Sequence, residues 1–330
     1  MITNPTPQRA LRSHYPQRPR PQVMHSPEHQ ARLAGHLTAR DRWLARMLFE
    51  HHVLTTDQIT QLCFPGRRYA NARLRLLYQW GVVHRFQPHR ALGSYPMHYV
   101  LDTAGALILA HELGTDLKGL GYDRMREIGR AHSLQLAHAI GCNSLFTALV
   151  HCARQPGAGS RLTAWWSASR CAALWGDIVT PDAYGRWRDG GHEVEWFTEF
   201  DFGTEKLARL AAKLPRYAKL AATTGIITPL LFWFPSAVRE TNVRRALADT
   251  VRGLDHPERV PIATTSADGV GGALDISSER WLRLDGRSHA RLAELDQLWP
   301  HLPILDQASN GASAATTVPA PDPMPPGADQ

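Results

Sequence analysis

Lysine is nearly absent. The 330-residue chain holds 4 Lys, the first at Lys118, against 33 Arg. A GC-rich genome gives the same bias, so Arg over Lys is not by itself a nucleic-acid signal. Cysteine is scarce as well. Cys63, Cys142, Cys152 and Cys171 stand without a C-x-x-C pair, which argues against a zinc ribbon and a disulfide framework and leaves reduced, mostly buried thiols as the expectation. No window reaches eighteen apolar residues, so no transmembrane helix is expected. The N-terminal stretch lacks the apolar core of a signal peptide, which predicts a cytoplasmic chain without membrane contact. There is no G-x-x-x-x-G-K-[ST] for a nucleoside triphosphate and no H-E-x-x-H for zinc. His132, His138 and His151 lack i, i+4 spacing and are expected at the surface or in the core. The Gly-rich "DGVGGA" (268–273) does not join a strand to a helix and is expected to be a flexible loop.

What is present is unevenly distributed. Residues 1–100 carry 14 Arg and 4 acidic residues, and the remainder carries 23 basic and 26 acidic residues. A basic first third on a near-neutral remainder points to a polyanionic partner for that third. Residues 1–36, rich in Pro, Arg, His and Gln, are expected to be a disordered basic arm. Residues 307–330, rich in Pro and Ala, are expected to be a disordered tail.

Two ordered blocks are predicted between them, 37–118 and 122–306. In the first, Thr38 and Asp41 fit a capping box that opens a helix. "LTTDQITQLCF" gives a second helix with Thr55 or Thr56 as N-cap. "RRYANARLRLLYQWG" gives a third, with Ala70, Leu74 and Leu77 on one face, Arg68, Asn71 and Arg75 on another, and Gly81 ending it. "VVHRFQ" and "MHYVLD" form a hairpin. Three helices followed by a hairpin is the order of a winged helix-turn-helix, whose third helix enters the major groove of DNA. Asn71 and Arg75 are candidates for reading base edges. Arg67, Arg68 and Arg73 are candidates for gripping phosphates. Arg85, His89 and Arg90 are wing candidates. A surface role, or a module used only for protein contacts, stands beside the DNA reading.

The second block reads helix, three strands, helix, strand, helix, strand, a mixed α/β sheet with helices on its faces. The fold class is therefore α+β and α/β, a winged helix-turn-helix followed by a PD-(D/E)XK-like domain. Asp182 in "PDA" and Glu199 in "EFD" sit where a nuclease places its Mg²⁺ carboxylates, and Asp201 stands where that pattern has Lys. Asp182, Glu199 and Asp201 are the candidate metal ligands. Lys213 and Tyr217, spaced i, i+4, are candidates for a displaced basic group and its neighbour. Pro215 between them is expected to interrupt their helix. Polar strand ends are the alternative reading of Asp182 and Glu199.

The stretch "LTARDRWLARMLFEHHVLTTDQITQLCFPGRRYANARLRLLYQWGVVHRF", with "EWFTEFDFGTEKLARLAAKLPRYAKL" and "PLLFWFPSAVRETNVRRAL", resembles the replication-relaxation family of actinobacterial and other Gram-positive plasmids and integrative elements. The resemblance implies a winged-helix DNA-binding module joined to a nuclease-like region, with a role in plasmid replication or its control. It carries over the helix-turn-helix at 55–80 and the acidic positions Asp182, Glu199, Asp201 and Glu205. Three functions follow as expectations. One is a protein that binds double-stranded DNA in replication, its control or transfer, with a homodimer plausible. Another is a Mg²⁺-dependent nuclease or nickase, and the third an adaptor that recruits replication proteins.

Overall fold

The computed structural model describes residues 6–11, 13–15, 26–90, 92–268, 275–299, 302 and 318–327. The chain is a mixed α+β protein with a three-stranded and a seven-stranded sheet. It divides into two compact units. The first takes in Thr6–Thr147 with the later stretch 318–327, and the second takes in described residues from 148 to 302.

In the first unit a 3-10 turn at Gln8–Leu11 precedes α1 (Pro27–His36), whose N-cap Ser26 accepts from the His29 amide. Part of the arm expected to be disordered is therefore a helix, because Ser26 and Pro27 supply a cap and a first-turn proline. α2 (Ala39–His51) opens with the predicted capping box of Thr38 and Asp41. β1 (Leu54–Thr55) leads into α3 (Thr56–Cys63), capped by Thr55 with Gln58. α4 (Arg67–Gln79) buries Ala70, Leu74 and Leu77. Gly81 then turns the chain at φ 76°, a left-handed conformation suited to glycine. β2 (Val83–Phe86) and β3 (His98–Leu101) form the hairpin, with β1 added to the far edge of β3. α5 (Thr103–Glu112) packs so closely that a Cβ on Gly105 would lie 2.4 Å from the Val82 carbonyl oxygen.

The predicted long helix is two: α6 (Arg124–Gly129) and α7 (Leu136–Ala153). They are parted by a short 3-10 turn (Arg130–His132) and the residues up to Leu136. The first half of α7 belongs with the first unit, since Gln58 Nε2 donates to Ile140 O at 2.8 Å and Asn143 Nδ2 to Val53 O at 2.9 Å. By length and composition α7 passes as a membrane span, with mean hydropathy 1.3, but 61% of it is buried inside the molecule.

In the second unit, β4 (Arg161–Ser167), β5 (Ala183–Asp189) and β6 (His192–Phe200) form an antiparallel meander. α8 (Ala168–Trp175), which the sequence reading missed, links the first two. After β6 the predicted single helix is split into α9 (Leu207–Ala211) and α10 (Leu214–Thr224). β7 (Leu230–Phe234) joins β6 in parallel, α11 (Ala237–Arg252) crosses over, and β8 (Ile262–Ser266) joins β7 in parallel. Two short strands, β9 (Trp281–Arg283) and β10 (His289–Ala290), complete the sheet antiparallel. β7 is buried along its whole length, as a central strand covered on both faces must be. The Trp165–Trp166 pair divides by strand alternation: Trp165 is buried and Trp166 stacks on Tyr184. Residues 269–274 of the Gly-rich stretch lie outside the described residues.

Candidate functional site

Helix α4 of the first unit has two chemically different faces. Arg67, Arg68, Asn71 and Arg75 are exposed on α4, opposite its buried stripe. Arg85 and Gln87, two residues apart on the β2 side of the hairpin, point the same way. Together with Thr56, Met97 and Tyr99 from the β1–β3 edge, the Arg67, Asn71, Arg75, Arg85 and Gln87 side chains line a groove of about 450 Å³. Arg85 lies over the Tyr78 ring at 4.3 Å, which fixes its guanidinium at the groove wall. Gln87 Nε2 donates to Tyr95 O at 2.7 Å across the hairpin. Arg90 lies exposed at the hairpin, over Tyr95. Arg67 pairs with Asp57 at 3.1 Å, both well exposed. Such a pair is worth little in water and exchanges cheaply for a phosphate.

Arg73 does not share this role. Its Nε and NH2 both reach Asp41, at 3.0 and 2.5 Å, and NH2 also donates to His36 O. Asp41 is 1% exposed, and these bonds with those from Thr38 overcome its burial and hold it below the ordinary carboxylate value. Arg73, expected at phosphates, ties α2 to α4 in this structure. The sequence carried the signal, since Arg73 follows Ala70 by three and precedes Leu77 by four, which puts it beside the buried stripe.

In the second unit, Asp182 and Glu199 meet at the carboxyl end of β6. The Asp182 amide donates to Thr198 O at 3.0 Å, and the Phe200 amide donates to Asp182 Oδ2 at 2.8 Å. Glu199 is 2% exposed. Its Oε2 accepts from Lys213 Nζ at 2.6 Å and its Oε1 accepts from the Tyr217 hydroxyl. Burial and the nearby Asp182 charge push Glu199 up to about 7, against the pull of Lys213 and Tyr217. Burial and the Glu199 charge push Tyr217 well above its ordinary value. Pro215 does not interrupt the pairing. Lys213 is the N-cap of α10 and Pro215 lies in its first turn, where the missing amide costs nothing.

Asp201 is separated from this group by its bonds. Its Oδ2 accepts from Arg239 Nε at 2.7 Å and its Oδ1 from the Gly203 amide at 2.9 Å. Arg239 also donates to the Glu205 carbonyl, so α11 locks the turn after β6. The Glu205 carboxylate lies 3.8 Å from Lys213 Nζ. Among the described residues, no three His, Cys, Asp or Glu side chains converge as metal ligands. The expected set Asp182, Glu199 and Asp201 does not fit a metal ion here. Both Glu199 oxygens are engaged, one by a cation, and Asp201 is held by Arg239.

A sequence model of the replication-relaxation family matches residues 46–248. The chain belongs to that family. The match spans both α4 with its hairpin and the Asp182–Glu199–Lys213 group. The replication-relaxation family is tied to replication of plasmids and mobile elements, or to their transfer. No curated protein and no solved structure matched the chain. Sequence reasoning missed Thr56, Gln87, Met97 and Tyr99 in the groove and Arg239 beside Asp201. Gln87 was accessible by its i, i+2 relation to Arg85. Arg239 was not, because 38 residues separate it from Asp201.

Proposed function

We propose that this chain is a cytoplasmic DNA-binding protein of a plasmid or integrative element, acting in replication, its control or transfer. The first unit acts as a winged helix-turn-helix and its partner is double-stranded DNA. The observation that carries this reading is the groove between α4 and the hairpin, where Arg67, Arg75 and Arg85 surround Asn71 and Gln87. Guanidinium groups match phosphates and guanine edges, and side-chain amides match adenine. A solvated helix face would ordinarily mix charge signs, and this exposed face of α4 carries only positive ones. Titration of duplex binding against salt tests the proposal. Affinity falls steeply with log salt if several phosphates are neutralised, and weak binding insensitive to salt overturns it.

A second reading concerns the second unit. Its strand–strand–helix order and the Asp182–Glu199–Lys213 group support a PD-(D/E)XK-like fold that has lost metal chemistry, with the Lys213 ammonium balancing the acidic pair. Incubation with supercoiled plasmid and Mg²⁺ or Mn²⁺ is expected to give no nicking. Metal-dependent nicking abolished in an Asp182→Ala/Glu199→Ala variant would sink this reading and favour the nuclease.

A further inference from the structure

The stretch 318–327, "VPAPDPMPPG", carries five prolines in ten residues and one charge. Composition predicts disorder. In the structure it is docked instead, grouped with the first unit. The Trp43 indole on α2 donates to Asp322 O at 2.7 Å. Pro323, Met324 and Pro325 are buried, Met324 to 5% exposure, and Trp43 is 7% exposed. Asp322 Oδ1 accepts from the Met324 amide at 2.9 Å, an Asx turn that presents the Met side chain inward. The segment forms no helix and no strand, so its backbone is held by none of the ladders that fix the rest of the unit.

These are the elements of peptide recognition. A tryptophan gives a flat apolar surface and one N–H, and a proline-rich chain offers carbonyl acceptors and loses little entropy on binding. Methionine adapts to an irregular apolar pocket. We propose that the Trp43 face of α2 is a recognition site for a proline-rich peptide, and that residues 318–327 are its resident, exchangeable ligand. Because the ligand is part of the same chain, it competes at an effective concentration on the order of millimolar. An external peptide of Pro-Asp-Pro-Met-Pro chemistry therefore enters only when the resident segment is displaced.

The test uses the full chain with Met324→Asp, whose charge cannot stay buried, and a fluorescein-labelled peptide of residues 318–327 read by anisotropy. The peptide is expected to bind this variant at least tenfold more tightly than it binds the wild type, and a peptide carrying the same Met→Asp change is expected not to bind. Adding Trp43→Phe keeps the ring and removes the N–H, and is expected to weaken binding by about 2- to 12-fold, the value of one hydrogen bond. Absent binding, or equal binding to both chains, overturns the proposal. A second measurement does not depend on Met324→Asp: a protease site is placed between residues 303 and 317 of the otherwise unchanged chain. After cleavage the fragment is expected to co-elute with the body and to be displaced by excess labelled peptide. A fragment that leaves without rebinding, or that never exchanges under native conditions, overturns the proposal.

Discussion

Lys213 holds its ammonium 2.6 Å from Oε2 of Glu199, a carboxylate 2% exposed at the end of β6. Lys213 itself is held protonated, above its ordinary value, because the surrounding carboxylates outweigh its partial burial. Replacing Lys213 by Met removes the charged partner and leaves Glu199 buried. The expected loss is about 1.5–3 kcal/mol in urea unfolding. Adding Glu199→Gln to that variant should restore part of the loss, since no lone charge is then buried. Simple additivity in the double-mutant cycle would contradict the pairing.

The burial of Glu199 beside Asp182 sets a pH response. Glu199 is raised from 4.5 to about 7 in the native chain. Between those values the unfolded chain releases a proton that the native chain keeps. The contribution of this group is fully present below pH 4.5 and is lost as pH rises through 7. A carbon-13 carboxyl titration should find Glu199 with a midpoint near 7. Asp182→Asn, which removes a neighbouring negative charge, should move that midpoint down.

His98 in the first unit acts in the opposite direction. Burial lowers it from 6.5 to about 4, and its ring stacks on Phe86 at 5.1 Å. As pH falls below 6.5 the unfolded chain takes up a proton that the native chain refuses, so stability is lost on acidification towards pH 4. His98→Phe should therefore gain stability relative to wild type at pH 4.5 compared with pH 7.5. Urea midpoints at the two pH values measure this, and an unchanged difference counts against a buried neutral His98.

Arg73 and Arg75 stand two residues apart on α4 and should fail differently. Arg73→Ala breaks a two-point contact to buried Asp41 and should cost about 1.5–3 kcal/mol of stability. Arg75→Ala touches an exposed position and should change stability by less than about 0.5 kcal/mol. If the groove binds DNA, Arg75→Ala should weaken duplex binding and reduce the salt slope by about 1 when its contact is a phosphate. Thermal melting beside a gel-shift titration separates the two effects.

Much of the first unit was legible locally. The Thr38–Asp41 capping box, an N-cap at Thr55 or Thr56, the Ala70–Leu74–Leu77 stripe and the turn at Gly81 were read from spacing within a few residues, and the structure settles the second cap on Thr55 with Gln58. The breaks were harder. Residues 207–224 carry one apolar period, yet α9 and α10 part at Ala212–Lys213. α8 was missed because "ASRCAALW" is only eight residues long and lies between two strands. The 307–330 stretch looked structureless because composition records what a segment cannot bury alone, and it is silent about a tryptophan nearly 280 residues away.

The sequence by itself determined most of the longer helices and strands, the apolar stripe of α4, the basic first third and membership of the replication-relaxation family. These depend on residue order over short spans, where backbone periodicity fixes which side chains share a face. Only the tertiary structure decided the partners. Arg73 went to Asp41 and Arg75 to the groove, Lys213 went to Glu199 and Arg239 to Asp201. An ion pair forms where the fold brings two side chains within about 4 Å, at a burial that makes an unpaired charge costly. That depends on how elements far apart in sequence are brought together, which the spacing of residues along one strand or helix does not contain.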